Sequence, residues 1–428
     1  MNPQRGTGPV AEAARTGGAP AGAPPRRLTG DERIGAVDGL RAVAVAGVIA
    51  FHLGLGVRGG FLGVDLFFVI SGYVITRLLL TEWHRTGSIA WARFWGRRAR
   101  RLLPAVLALL VVVQVWLHLG ALPELRSTTD AQTVAALTYV SNWYAIFAGV
   151  SYWGALTSGA PLTHLWSLAV EEQFYLVWPL VLIAVLLTVR SRRALAVVAA
   201  AGAVTSYATG ALLFRGEGTD RAYLGTDARS GALLLGVLCA LALTRTAPAP
   251  DGSWDRRLPP GRRAVVRPAL ALAVAALTVL WATARIEAPW LYEGGLAVAG
   301  VAAAVVIAAL VAVPGCRAAR LLRARPVVYV GRLSYSLYLW HWPVHVFAVH
   351  RHAHLAWPLQ VAGEIAAAFA LSVLSFHFVE TPARRVRRPL VLAAPLLACG
   401  VLVLAGAMYA RPAPPAEQGT GVTVHGGP

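Results

Sequence analysis

The 428-residue chain contains no lysine, so all 39 of its basic side chains are arginine. It has three cysteines, two methionines and only 14% charged residues. Each scarcity excludes something. Without lysine there is no phosphate-binding loop of the G-x-x-x-x-G-K type. Cys239, Cys316 and Cys399 lie scattered in or beside apolar runs, and they offer neither metal-ligand spacing nor a disulfide framework. Soluble domains carry about a quarter charged residues, so this composition excludes an ordinary soluble protein, and counting spans replaces counting domains. Neither a G-x-S-x-G nucleophile elbow nor an H-E-x-x-H zinc motif occurs. The HRHAH cluster at 350–354 looks metal-like, but it falls in a short outer loop and is expected to be solvated, so no metal site is expected. Residues 1–33 are rich in Pro, Gly, Ala and Arg and lack a cleavable apolar segment. They are expected to form a disordered cytoplasmic tail with no signal peptide.

What is present is hydrophobic and arginine-rich: 57% apolar residues and a net charge of +19. Apolar runs of spanning length fall at 36–55, 60–79, 102–120, 167–189, 194–214, 228–244, 268–284, 291–313, 328–349, 357–379 and 390–409. The expected fold is therefore all-α, a polytopic transmembrane helical bundle in a bacterial cell membrane. It has ten core spans in a membrane domain at 34–388, an extra span at 389–410 and a short disordered extracytoplasmic tail at 411–428. The arginines cluster at span ends, which points to membrane topology and lipid contact and away from nucleic acid.

A further stretch, 131–149, is interrupted by Gln132, Thr133, Ser141 and Asn142. If it crossed the membrane, SRR, RRLPPGRR and ARRVRR would all face outward, against the positive-inside bias. With the N-terminus cytoplasmic, the stretch is expected to be re-entrant or folded over the outer face. Such backbone is tolerated at membrane depth only against protein or a water-filled cavity.

Arg41 and His52 sit eleven residues apart in the first run, on one helix face and about 16 Å apart along the axis. Ionisable residues inside a span are expensive and read as functional by default. The same topology brings Asp65, Glu171, Glu172 and His341 to similar depth in the outer half, where imidazoles and carboxylates can handle a proton. At the inner face, Arg97 and Arg101 are i,i+4 neighbours with Arg98 beside them. Positive-inside anchoring accounts for a few such residues, and a phosphate grip by guanidinium forks is the functional alternative. Ser71 and Gly72 lie in the second span, where a glycine allows close backbone approach to a ligand or to another helix.

Six stretches in order from 38 to 388 resemble the acyltransferase 3 family of membrane O-acyltransferases: LRAVAVAGVIAFH, GGFLGVDLFFVISGYVIT, RFWGRRARRLLPA, HLWSLAVEEQFYLVWP, GRLSYSLYLWHWPV and FVETPARR. The resemblance implies ten spans and transfer of an acyl group from cytoplasmic acyl-CoA, acetyl-CoA by expectation, to an extracytoplasmic hydroxyl on a carbohydrate, glycolipid or macrolide. It maps the catalytic histidine to His52 and its arginine to Arg41. It maps the serine-glycine motif to Ser71, Gly72 and Ile75, the cytoplasmic arginine motif to Arg97, Arg98 and Arg101, and the acidic pair to Glu171 and Glu172. Near Gly231, where similar proteins often carry an acidic residue, this chain has only Asp227 and Arg229. Some relatives add a C-terminal SGNH hydrolase-like domain. Its expected absence here implies a small or lipid-linked acceptor, or a separate acceptor-handling protein.

On this reading Arg97, Arg98 and Arg101 dock the donor phosphates, and the pantetheine arm passes Ser71 and Arg41. His52 acts as general base or transient acyl carrier, with Asp65 or Glu172 orienting it. A proton-coupled transporter of a glycan or small molecule would also need intramembrane His, Asp and Glu. A non-catalytic scaffold held together by the polar cluster is the third alternative.

Overall fold

Long runs of Ala, Leu and Val in an apolar surround leave the backbone to satisfy its own polar groups, which only a helix does within one segment. The computed structural model describes residues 30–119, 125–149, 159–249, 253–256, 258, 259, 263–351 and 355–385. Among them the regular structure is helical, apart from one isolated antiparallel bridge between Thr244 and Asp255. The helices are α1 (Gly30–His52), α2 (Gly63–Thr86), α3 (Trp91–His118), α4 (Arg126–Leu137), α5 (Ser141–Phe147), α6 (Trp166–Thr188), α7 (Arg192–Glu217) and α8 (Thr219–Leu224). They continue as α9 (Thr226–Leu243), α10 (Arg263–Thr283), α11 (Leu296–Ala312), α12 (Arg317–Leu322), α13 (Arg325–Arg351), α14 (Trp357–Leu374) and α15 (Thr381–Arg385).

Nine helices among the described residues are long and apolar enough to cross a membrane. The expected span at 328–349 lies inside α13, 27 residues long but too polar to count among the nine. Its Ser334, Ser336 and His341 are buried in the bundle. Large apolar side chains such as Leu272, Val204 and Leu212 are exposed on the periphery, the pattern of a lipid-facing surface. The expected span at 390–409 and the tail at 411–428 lie outside the described residues. α1 begins at Gly30, within the stretch expected to be tail, and the rest of that stretch lies outside the described residues.

The 131–149 stretch is not one helix of spanning length. It forms α4 and α5, of 12 and 7 residues, broken at Tyr139, which takes a left-handed φ of 56°. Twelve residues of helix reach about 18 Å against about 30 Å of hydrocarbon. The break is held by polar contacts to neighbouring helices. Gln114 of α3 donates to Thr133 (2.8 Å), Gln173 of α6 donates to the Tyr139 carbonyl (2.8 Å), and Asn142 donates to the Leu224 carbonyl (3.1 Å). These contacts anchor the segment against α3, α6 and α8.

Two close helix crossings set the register of the core. A Cβ on Gly72 of α2 would lie 1.9 Å from the Leu233 carbonyl oxygen of α9, and one on Gly236 would lie 2.1 Å from that of Val69. A Cβ on Gly331 of α13 would lie 1.8 Å from the Asp38 carbonyl oxygen of α1. Only glycine admits such backbone approach.

Candidate active site

The α1–α13 contact places His52, the last residue of α1, with its Nδ1 2.9 Å from Nε2 of His341. Nδ1 of His341 faces two carbonyl oxygens of its own helix, Tyr338 at 2.7 Å and Leu337 at 3.1 Å. A carbonyl only accepts, so that nitrogen carries the proton. In the neutral ring Nε2 of His341 is then an acceptor and Nδ1 of His52 donates to it. The tautomer follows: the lone pair of His52 is on Nε2, as a general base requires. The ring is held by Phe51 and Trp342, at centroid distances of 5.4 and 5.0 Å.

Toward the arginine-rich face, a narrow cavity runs between α1, α2, α3, α6 and α13. Arg41, Phe67, Ser71, Arg98, Arg101, Glu171, Tyr175 and Ser334 are among its lining residues. Arg41 donates from Nε to Ser334 at 3.1 Å. Glu171 accepts from Ser71 and from Tyr175, each at 3.0 Å. The Arg98 guanidinium lies flat on the Tyr175 ring, 3.3 Å from its centroid, with Glu172 at 4.0 Å. Val64, Ser167 and Tyr338 also line it. Neither His52 nor His341 lines it, but Tyr338 does, and the Tyr338 carbonyl is one of the two that accept from His341.

At the opposite end a wide vestibule opens among α1, α3, α13 and α15. It is lined by Arg97, Arg100, Arg332, Arg384 and Arg385, with Asp38, Phe376 and His377. Arg41 and Arg101 line both the vestibule and the narrow cavity. The three-arginine motif is therefore graded: Arg97 in the vestibule, Arg101 at the junction, Arg98 inside. Convergent guanidinium groups are suited to phosphate oxygens.

Several expectations are redistributed. The residues expected at one depth fall into three separate clusters. Asp65 does not orient His52: it receives Arg229 Nη2 at 2.9 Å, both residues are buried, and Tyr223 lies 4.7 Å from the guanidinium carbon. Glu172 is likewise the partner of Arg98, and His341 takes the place expected for a carboxylate beside His52. Gly72 faces the Leu233 backbone and lies outside the cavity's lining, so its role is helix packing. Ile75 is buried in the core. Sequence reasoning passed over His164, Tyr175 and Glu380. Glu380 is buried, accepts from Ser336 and pairs with Arg384 at 2.7 Å; a carboxylate inside FVETPARR, at the end of a span, was the signal. Among the described residues no group of three or more His, Cys, Asp or Glu is arranged to hold a metal ion.

A family model described as an acyltransferase domain matches residues 34–378. The chain belongs to the acyltransferase 3 family. Over 356 residues it is 37% identical to the peptidoglycan O-acetyltransferase OatA of Listeria monocytogenes, covering 82% of this chain and 55% of that protein. A Bacillus subtilis protein with the provisional name peptidoglycan O-acetyltransferase YrhL is 38% identical, covering 81% of this chain and 54% of its own length. A Staphylococcus aureus protein provisionally named an O-acetyltransferase is also 38% identical, with 82% and 57% covered. The chain thus spans about half the length of these acyltransferase 3 relatives. No solved structure matches it.

Proposed function

We propose that this acyltransferase 3 protein is a membrane O-acetyltransferase. It takes acetyl from cytoplasmic acetyl-CoA and places it on a carbohydrate hydroxyl of the peptidoglycan type on the other side of the membrane. The observation that carries the reading is the pair of arginines that the two cavities share. An arginine-lined vestibule shares Arg41 and Arg101 with a narrow cavity lined also by Tyr338, whose carbonyl accepts from the His341 that contacts His52. The positive-inside rule assigns the vestibule to the cytoplasm. Its guanidinium groups receive the donor's phosphates. The pantetheine arm follows the narrow cavity past Ser71 and Glu171, whose hydroxyl and carboxylate suit its hydroxyl and amide groups. From Arg41 to His52 is about 16 Å along α1, a distance an extended pantetheine arm spans. The acyl group then passes Phe67, a half-buried ring that lines the narrow cavity, toward His52.

His52 Nε2 takes the proton of the acceptor hydroxyl as its oxygen attacks the thioester carbonyl, and the proton leaves with the CoA sulfur as the thiol. One C–O bond forms, one C–S bond breaks, and the proton count closes without an external acid. His341 steadies the imidazolium through its Nε2 lone pair.

The test is to supply acetyl-labelled CoA to the arginine-rich side of the full chain in liposomes, with peptidoglycan fragments present. Label on the carbohydrate as an alkali-labile ester is the expected result. Movement of unmodified fragments without label transfer would make the protein a transporter, and neither would leave a scaffold.

A further inference from the structure

Pro343 lies inside α13 and has no N–H, so the carbonyl of Leu339, four residues earlier, loses its helical donor. His164 supplies the missing one. This fully buried residue, one position from the end of the 3-10 turn Thr163–Leu165 that precedes α6, places Nε2 3.1 Å from the Leu339 oxygen. Its own carbonyl receives the Tyr338 hydroxyl at 2.8 Å, and its ring stands edge-on to His341 with centroids 5.7 Å apart. Nδ1 of His164 has no hydrogen-bond partner. The ring is therefore held through the nitrogen that serves the carbonyl freed by Pro343.

We propose that His164 is a positioning residue for acyl transfer. By donating to the Leu339 carbonyl it satisfies the acceptor that Pro343 leaves free, holds the turn of α13 that carries Tyr338 and His341, and so keeps the acceptor nitrogen of His341 aimed at His52. The inference rests on the acetyltransferase reading, and its tests are separable from it. It predicts coupling between two positions. In the wild-type background His164→Leu lowers kcat at least about tenfold while donor KM stays within about threefold, because catalytic groups are misaimed while the vestibule is untouched. His164→Gln, whose amide N–H can reach the same oxygen, retains most of the rate. In a Pro343→Ala background residue 343 regains its N–H, and the same His164→Leu change costs less than about threefold.

The experiment measures acetyl transfer by the full chain in liposomes for all four corners of this cycle and for His164→Gln. Equal losses in both backgrounds, or no loss in either, would overturn the proposal. Absence of transfer by the wild type would instead overturn the acetyltransferase reading. Nitrogen NMR of the labelled histidines then decides the positioning role without activity: His341 should lose its Nδ1 proton in His164→Leu and regain it in the double variant. An unchanged His341 signal would overturn the inference.

Discussion

His341 presents Nε2 to His52 Nδ1 at 2.9 Å, and it does so because its own Nδ1 is occupied by the carbonyls of Leu337 and Tyr338. A neutral imidazole thus does for His52 what a carboxylate does in a Ser-His-Asp triad, fixing the tautomer without adding charge to an apolar site. His52→Ala should lower acetyl transfer on the order of 100-fold to 10,000-fold, the range lost with a general base. His341→Ala should fall less, on the order of tenfold to 100-fold, and His341→Gln less again, because the amide oxygen can still accept from His52. Initial rates with labelled acetyl-CoA, normalised to folded protein, check the order.

The arginines predict a gradient. Arg97 is exposed and already paired with Glu82 at 3.3 Å, whereas Arg101 lines both the vestibule and the narrow cavity. Arg101→Ala should raise donor KM about tenfold or more, the worth of a charge-assisted contact, and Arg97→Ala only a few-fold. Arg98→Ala removes the guanidinium from Tyr175 and Glu172 and should affect kcat as well as KM, since that residue lies deeper. Donor saturation curves at two salt concentrations separate these outcomes, since the exposed vestibule is screened more than the cavity.

Much of this was legible before any coordinates. The positions of the long helices follow from hydropathy, and the interruption of 131–149 into two short ones follows its polar residues, because both are properties of one segment. Which polar residues meet is a property of two segments. His52 and His341 are 289 positions apart, and only the packing of α1 on α13 brings them together. Asp65 was matched to His52 because a carboxylate near a histidine suggests a triad, while its partner Arg229 stood at the start of another span with no role assigned to it. Gly72 was placed with the donor-binding residues although small residues in spans mostly serve helix packing, and the structure sets it against the Leu233 carbonyl of α9. His164 carries meaning only beside Pro343, whose missing donor sits on a different helix.

The Asp65–Arg229 pair predicts stability effects that resemble catalytic ones. Both residues are about 2% exposed, and the guanidinium also faces Tyr223. Removing either partner leaves an uncompensated buried charge, at a cost of about 3–5 kcal/mol. Asp65→Ala and Arg229→Ala should each lower the melting temperature in detergent markedly. The double variant should melt above at least one of them, because it buries no lone charge. Losses that simply add would show that the two side chains do not act as a pair.

Gly72→Ala distinguishes helix packing from donor contact in the serine-glycine motif. The added methyl would meet the Leu233 carbonyl at 1.9 Å, backbone against which nothing can rotate away, so α2 and α9 must separate. Overpacking of this kind costs about 1–3 kcal/mol. The neighbouring Ser71→Ala removes only a hydroxyl that donates to Glu171 at 3.0 Å inside the cavity. Gly72→Ala should therefore lower thermal stability, with donor KM near wild type in the fraction that stays folded. Ser71→Ala should do the reverse, raising donor KM at unchanged melting temperature. Both variants moving KM alike at full stability would place Gly72 against the donor and refute the packing role. The measurement is a melting curve paired with a donor titration on the same preparation, because helix separation lowers the amount of folded enzyme and leaves the chemistry of each folded molecule intact.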